Sequence, residues 1–430
     1  MQRVKTIMRV FRGDVRQLPR VIIFTIASIA VYNFSWGFAD PFFSIYLSEF
    51  SGHYVTIGFF NTLATLAGAL VLIPVGNLLD RVRHDKIVNF AKVGYFFVAL
   101  CYFIAGEFGS TTLLIVTLFF HGGFAAMVWA GTSATLRDYA DKKDAGLTFG
   151  FYVTARQLAW VIGLGIALLL VLRMPIHYIF IPVMIFPVAS ILLSRGQPEK
   201  HHQPLGSALK DIIFKDKLVG RYIKEMKGFN REMWVTYVLF FFAYSIPLLS
   251  LTFLPLYAVA QGYSLVKIGL LVLVMNIPFI FSFISAEIAD HSERLRNVIV
   301  GFGLSAIAIG LLSILHDDGL WLFALGFVFM AGYSVILPSI SSVITILTPK
   351  QYTGTGSATL DMTIFISAII FSPVIGFIVD TFDWGTTFLI AALFFGVLAA
   401  ATFILKVYFI KQNRVFHLNH PDSKNDPYII

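Results

Sequence analysis

The chain has 430 residues, of which 57% are hydrophobic and only 13% charged, with a mean hydropathy of +0.80. Soluble domains carry about a quarter charged residues, so a soluble enzyme or a nucleic-acid-binding module is excluded despite the net charge of +8. The single cysteine, Cys101, rules out an internal disulfide and most metal sites, and no cofactor is expected.

Residues 1–20 form a basic lead-in with Arg3, Lys5, Arg9, Arg12, Arg16 and Arg20. The apolar run that follows has no small-residue cleavage site, so it reads as a retained first span. Charge-free runs of roughly 20 residues are long enough to cross the hydrocarbon core as helices. They fall at 21–48, 54–79, 86–106, 111–136, 147–172 and 174–194, then at 232–260, 264–289, 296–316, 319–347, 352–379 and 384–409. No period-two pattern of short segments appears, which excludes a transmembrane β-barrel. The expected organisation is a basic N-terminus (1–20), a six-helix half (21–194), a polar linker (195–231), a second six-helix half (232–410) and a tail (411–430). In the linker, Phe214, Leu218, Tyr222 and Met226 stand at helical spacing among lysines and predict an amphipathic helix lying under the bundle.

Charge placement checks the count. Of 32 Lys/Arg, this arrangement puts only Arg173 and Lys267 on the outer side, with Arg156 inside a span. The rest lie at or near the inner ends of spans. That asymmetry predicts an even number of spans in the plasma membrane, with both termini cytoplasmic.

Two charged loops repeat. Gly76-Asn77-Leu78-Leu79-Asp80-Arg81-Val82-Arg83-His84-Asp85-Lys86 joins spans two and three, and Ala286 to Arg296 joins spans eight and nine. In each, a small residue stands four before the aspartate and an aliphatic residue two before it. A basic or His side chain follows. Gly76, Leu78, Asp80 and Arg81 resemble the signature loop of the major facilitator superfamily. The pattern departs at Arg83, where the family has a second glycine, and at Asp85. The second copy keeps Asp290 and Arg294 but has Ala286 and His291 in place of glycine and arginine. The resemblance implies an all-α membrane protein of twelve transmembrane helices in two pseudo-symmetric six-helix halves, with the substrate site between them. It also implies that span two meets span eleven and span five meets span eight. Asp80 would then cap span eleven near Gly354–Gly356, and Asp290 would cap span five near Gly146–Thr148, as gating latches. The plainer reading is that these charges only hold the loops in the cytoplasm.

Ionisable groups at membrane depth are costly and stand as functional hypotheses. Asp40, in Trp36-Gly37-Phe38-Ala39-Asp40-Pro41, either takes up and releases a proton or hydrogen-bonds a loop near the outer mouth. Arg156, beside Gln157 in span five, must face a partner or a water-filled cavity. Asp361 stands at a comparable depth in span eleven. The depth count separates Asp40 from Arg156 by about nine residues, which makes them poor partners. His121, in Phe120-His121-Gly122-Gly123, either carries protons or donates within a helix packing site. Asn33, Asn61, Trp129, Tyr152, Tyr244, Asn276 and Tyr333 fall near mid-depth and are cavity candidates. Ala64 and Gly68 mark close helix packing.

No P-loop and no hydrolase or metalloprotease spacing appears. The sequence thus reads as a secondary active transporter of a small solute, working as a monomer, with protons as the coupling ion. Export of amphipathic or hydrophobic compounds is the first reading, as in the drug–proton antiporters that the resemblance suggests. Import of a sugar, carboxylate or other metabolite is the second, favoured where Arg156 and Asp361 form the substrate site.

Overall fold

The computed structural model describes residues 19–79, 81–139, 145–194, 203–204, 206–208, 222, 226–281, 294–315, 319–348 and 353–411. All regular structure among them is helical. In chain order the helices are α1 (Arg20–Ser48), α2 (Tyr54–Leu79), α3 (His84–Phe108), α4 (Thr111–Tyr139), α5 (Ala145–Leu170) and α6 (Ile176–Ser194). The second set is α7 (Arg231–Ala260), α8 (Leu265–Ile280), α9 (Arg294–Leu315), α10 (Gly319–Leu347), α11 (Thr353–Thr381) and α12 (Trp384–Lys411). Eleven of these hold stretches long and apolar enough to cross a membrane. The described part of α8 is an apolar helix of 16 residues.

Lipid offers no hydrogen bonds, so a spanning segment must pair its own backbone, and an uninterrupted apolar run does this as a helix. Where the runs stop, local chemistry supplies the ends. Gly109 closes α3 with a left-handed φ of 61° that most side chains resist. Asn230 opens α7, its side chain accepting from Met233 N at 2.8 Å. Asp383 opens α12, with Oδ1 accepting from Thr386 N at 2.7 Å. Outward-facing side chains such as Leu393, Val397, Phe403 and Ile404 of α12 are exposed and apolar, as a lipid-facing belt requires. One turn of α7, Leu249–Phe253, is a π-helix.

Packing repeats between the halves. The pairs α1–α5, α2–α4, α3–α4 and α3–α6 return as α7–α11, α8–α10, α9–α10 and α9–α12. Across the halves, α2 packs along α11, α5 meets α8, and α1 meets α7. The first two are the cross-half contacts that the resemblance implied; the third was not among them.

Small residues allow this closeness. A Cβ on Gly122 of α4 would run into the Ala64 carbonyl of α2, and one on Gly58 of α2 would meet the Ser372 carbonyl of α11. A Cβ on Gly376 of α11 would strike the Tyr54 carbonyl, and one on Gly68 would lie 2.8 Å from the Phe365 ring. The bundle end bearing the Gly76–Lys86 loop is the motif face. The close α2–α11 contacts run from the opposite face, at Tyr54 and Gly376, to mid-helix at Gly68 and Phe365. The two halves are shut at the opposite face.

At the motif face the loop packs inward. Arg83 and Asp85 form a two-pronged ion pair, with Nη2 to Oδ2 at 2.7 Å and Nε to Oδ1 at 3.0 Å. His84 Nε2 lies 3.0 Å from the Leu79 carbonyl oxygen. The linker covers the loop: Gln203 N donates to the Arg81 carbonyl at 3.3 Å, and Ala208 is buried among Leu78, Leu79 and Val82.

One charge departs from the topological reading. Lys92 does not sit in solvent at an inner helix end. It lies in α3 at 1% exposure. Its Nζ donates to Ser28 Oγ of α1 at 2.5 Å, and Ser28 Oγ donates to the Ser190 carbonyl of α6 at 2.8 Å. Beside it is a cavity of about 20 Å³, room for one water, bordered by Thr25, Thr132, Ser194 and Asp85 as well as Ile29 and Val88.

Two predictions follow from this packing. Gly122→Ala should destabilise the protein by about 1–3 kcal/mol through overpacking. Gly165→Ala, where a Cβ meets nothing within 4 Å, should be neutral or slightly stabilising. Thermal unfolding in detergent separates the two. Likewise Ser28→Ala, which leaves the buried Lys92 ammonium short of an acceptor, should be more harmful than Lys92→Met, which removes the charge altogether.

Candidate substrate and proton site

α1 and α5 approach backbone to backbone. A Cβ on Gly37 of α1 would strike the Trp160 carbonyl, and one on Gly163 of α5 would strike the Phe34 carbonyl. This contact brings the Trp160 indole to Asp40, where Nε1 donates to Oδ2 at 3.0 Å. Asp40 precedes a proline inside α1 and is exposed although helices surround it, so its open side faces the interior.

Arg156 lies one turn before Trp160. Its guanidinium carbon is 4.6 Å from the ring centroid of Trp129 in α4 and 5.8 Å from that of Tyr152. A cation over an aromatic face gains about 0.5–2 kcal/mol, more where water is excluded. The Arg156 charge acts on both Tyr152 and Asp40. Gly37 and Gly163 lie at similar depths in α1 and α5, so along the axis Asp40 stands about nine residues beyond Arg156, as the depth count has it. Among the described residues, no carboxylate lies within ion-pair distance of Arg156.

Asp361, half-buried in α11, comes to the same neighbourhood from the other half. Its charge acts on Tyr152 of α5 and on Tyr222 of the linker. Tyr222 hydroxyl lies 2.8 Å from Thr359 Oγ1, two residues before Asp361 in α11. Burial raises the Tyr222 phenol pKa; the Thr359 hydrogen bond partly offsets this, and Asp361 adds to it. The phenol is therefore neutral at physiological pH. Arg156, Tyr152 and Trp129 thus cluster between α4 and α5, within the electrostatic reach of Asp40 from α1 and Asp361 from α11.

The other candidates lie elsewhere. His121 Nδ1 is 2.9 Å from the Tyr102 hydroxyl, and its ring lies 4.8 Å from Trp36 and 5.7 Å from Phe43, inside the first half. Asn33 and Asn276 are buried, and each donates its amide to its own helix, at the carbonyls of Ile29 and Val272. Asn61 Nδ2 donates to Ser372 Oγ at 2.9 Å across the α2–α11 seam. Tyr244 and Tyr333 face each other at 6.5 Å within the second half. A Cβ on Gly76 would meet nothing within 4 Å, so packing does not demand glycine there. Arg294 Nε donates to Ser342 Oγ of α10 at 2.8 Å. Asp80 and Asp290, the expected latches, lie outside the described residues, as do Phe214 and Leu218.

Sequence reasoning passed over Trp160 and Thr359. A tryptophan in an aromatic-rich span carries no signal by itself, and a threonine reads as ordinary helix packing. Only the Gly37 and Gly163 contact tells which indole reaches Asp40. Among the described residues, no cluster of three His, Cys, Asp or Glu is placed to hold a metal.

Comparison with known proteins gives the family. The model of the Major Facilitator Superfamily matches residues 25–318 and again 277–425. No curated protein sequence matches the chain. Among solved structures, it is similar to a POT family transporter in complex with 5-aminolevulinic acid, with a TM-score of 0.71 and 13% identity over 91% of this chain and 96% of that one. A POT family transporter in complex with a thioalcohol-conjugated peptide has a TM-score of 0.71 at 13% identity, covering 92% and 96%. A mutant of the peptide transporter POT in complex with sulfate has 0.69 at 14%, covering 91% and 95%. At such identities the structures establish likeness of fold, whereas the family model spans most of the chain. The chain belongs to the Major Facilitator Superfamily and is a multi-pass membrane transporter of small solutes, not an enzyme.

Proposed function

We propose that the protein is a proton-coupled symporter whose solute carries a carboxylate or similar anionic group held by Arg156. The observation that carries this reading is the state of Arg156. Its cation lies over the Trp129 ring and near that of Tyr152, within the electrostatic reach of Asp40 and, among the described residues, with no carboxylate in ion-pair contact. An aromatic cradle orients a guanidinium without neutralising it, so the fork of N–H donors remains available to an anion.

The linkage sets the mode of coupling. Ionised Asp40 attracts Arg156 and competes with an incoming anion. A proton on Asp40 removes that competition, so proton and anion favour the same state and travel together. A cationic amphipathic compound would instead compete with the proton for Asp40, which is the logic of an antiporter. The three similar structures hold 5-aminolevulinic acid, a peptide conjugate and sulfate, ligands that carry or can carry anionic groups, which supports the symport reading. On this reading the protein acts as a single chain in the plasma membrane, and positive-inside placement supports a cytoplasmic motif face.

Uptake into proteoliposomes tests this, with an inward proton gradient and a panel of carboxylates, peptides and amphipathic cations. Anionic solutes should accumulate only with the gradient. Asp40→Asn should abolish the gradient dependence. Arg156→Gln should raise KM by about ten- to a hundredfold, the worth of a charge-assisted hydrogen bond. Gradient-driven expulsion of cations with no anion uptake would select the efflux reading. Arg173→Cys and Lys267→Cys, in a Cys101→Ser background, should react with an impermeant thiol reagent from outside only.

A further inference from the structure

Asp380 ends α11 and reaches across the molecule to the first turn of α2. Its Oδ1 accepts from Tyr54 N at 2.9 Å and its Oδ2 from Val55 N at 2.8 Å. A helix leaves its first four N–H groups without partners inside the helix, and the positive end of its dipole attracts a carboxylate. Caps of this kind ordinarily come from the residue just before the helix. Here Ser51, in the preceding turn, accepts instead from His53 N at 3.2 Å. The cap for α2 is supplied by the other half of the protein.

The seam behind it is built for the same closed state. Gly58 and Gly376 let the two backbones touch. Asn61 Nδ2 donates to Ser372 Oγ at 2.9 Å, and Thr62 Oγ1 donates to the Ile369 carbonyl at 3.0 Å. Any movement that parts α2 from α11 at this face must break both Asp380 bonds, because donor and acceptor move with different halves. We propose that Asp380 is a gating residue for transport, a latch that holds the face opposite the motif loop shut and is released for that face to open. Its chemistry is that of a carboxylate at a helix N-terminus, and it needs no ion, substrate or partner chain.

Spin labels on cysteines at Gly52 and Phe382 (the latter 49% exposed), in a Cys101→Ser background, report the separation of the two halves at this face. Asp380→Ala should raise the ratio of open to closed molecules by about tenfold, and Asp380→Asn, which keeps one acceptor but no charge, by less. The control is Asp383→Asn, three residues on, whose carboxylate caps α12 within its own half and should leave the distances unchanged. A distance distribution unmoved by Asp380→Ala overturns the latch. So does an equal shift in Asp383→Asn, or a loss of thermal stability with the open-to-closed ratio unaltered. If Asp380→Ala does not fold, Asp380→Asn decides by the same criteria.

Discussion

Helix α2 has almost no side-chain layer between itself and two neighbours. Gly122 of α4 seats against Ala64, and Gly376 of α11 seats against Tyr54, while Gly58 faces Ser372. In lipid no hydrophobic force draws helices together, so close van der Waals contact and interhelical hydrogen bonds must do it. Much of the arrangement follows from that constraint. Through α4 the helix is bound to its own half, and through α11 it is bound to the other. A contact with no intervening side chains cannot deform gradually, because backbone meeting backbone is either made or broken. That gives the pair the two-state character that alternating access needs.

The site between the halves follows a related logic with charge in place of shape. A guanidinium inside a membrane protein must be enclosed by polar groups, by rings or by water. A direct carboxylate partner would stabilise Arg156 and also occupy it. Trp129 and Tyr152 hold it at a lower cost in availability, and the Asp40 charge reaches it without a contact. The glycine contact between α1 and α5 is what brings Trp160 to Asp40, so backbone packing sets the surroundings of that carboxylate.

The membrane architecture was legible in the residues because hydropathy and charge asymmetry act along the chain, one segment at a time. Span boundaries such as 54–79 and 319–347 coincide with α2 and α10 for that reason. The charged candidates Arg156, Asp361 and Asp40 were legible too, since any ionisable group in an apolar run is conspicuous. The rings that enclose Arg156 were not, because depth along one helix says nothing about which neighbouring helix presents Trp129. Lys92 looked like an inner-end charge because its burial depends on Ser28 and Ser190, both distant in sequence. Asp380 was missed for the same reason: an aspartate ending a span looks like a solvated boundary until the helix it caps is in place. The signature loop drew notice as a motif, while the contact that bears on gating was found at the other end of the same helix pair.

Lys92 has a consequence for how the chain is made. A lysine at the centre of an inserting helix costs about 2.5–3.5 kcal/mol at the translocon. Lys92, a third of the way into α3, carries part of that cost, and α3 carries Asp85 as well. On its own, α3 would sit high in the bilayer or snorkel its ammonium to the headgroups. Its final position, with Nζ on Ser28 and Ser28 on the Ser190 carbonyl, exists only after α1 and α6 have arrived. The acceptor chain for this buried lysine is therefore complete only once α6, three helices further along the chain, has packed.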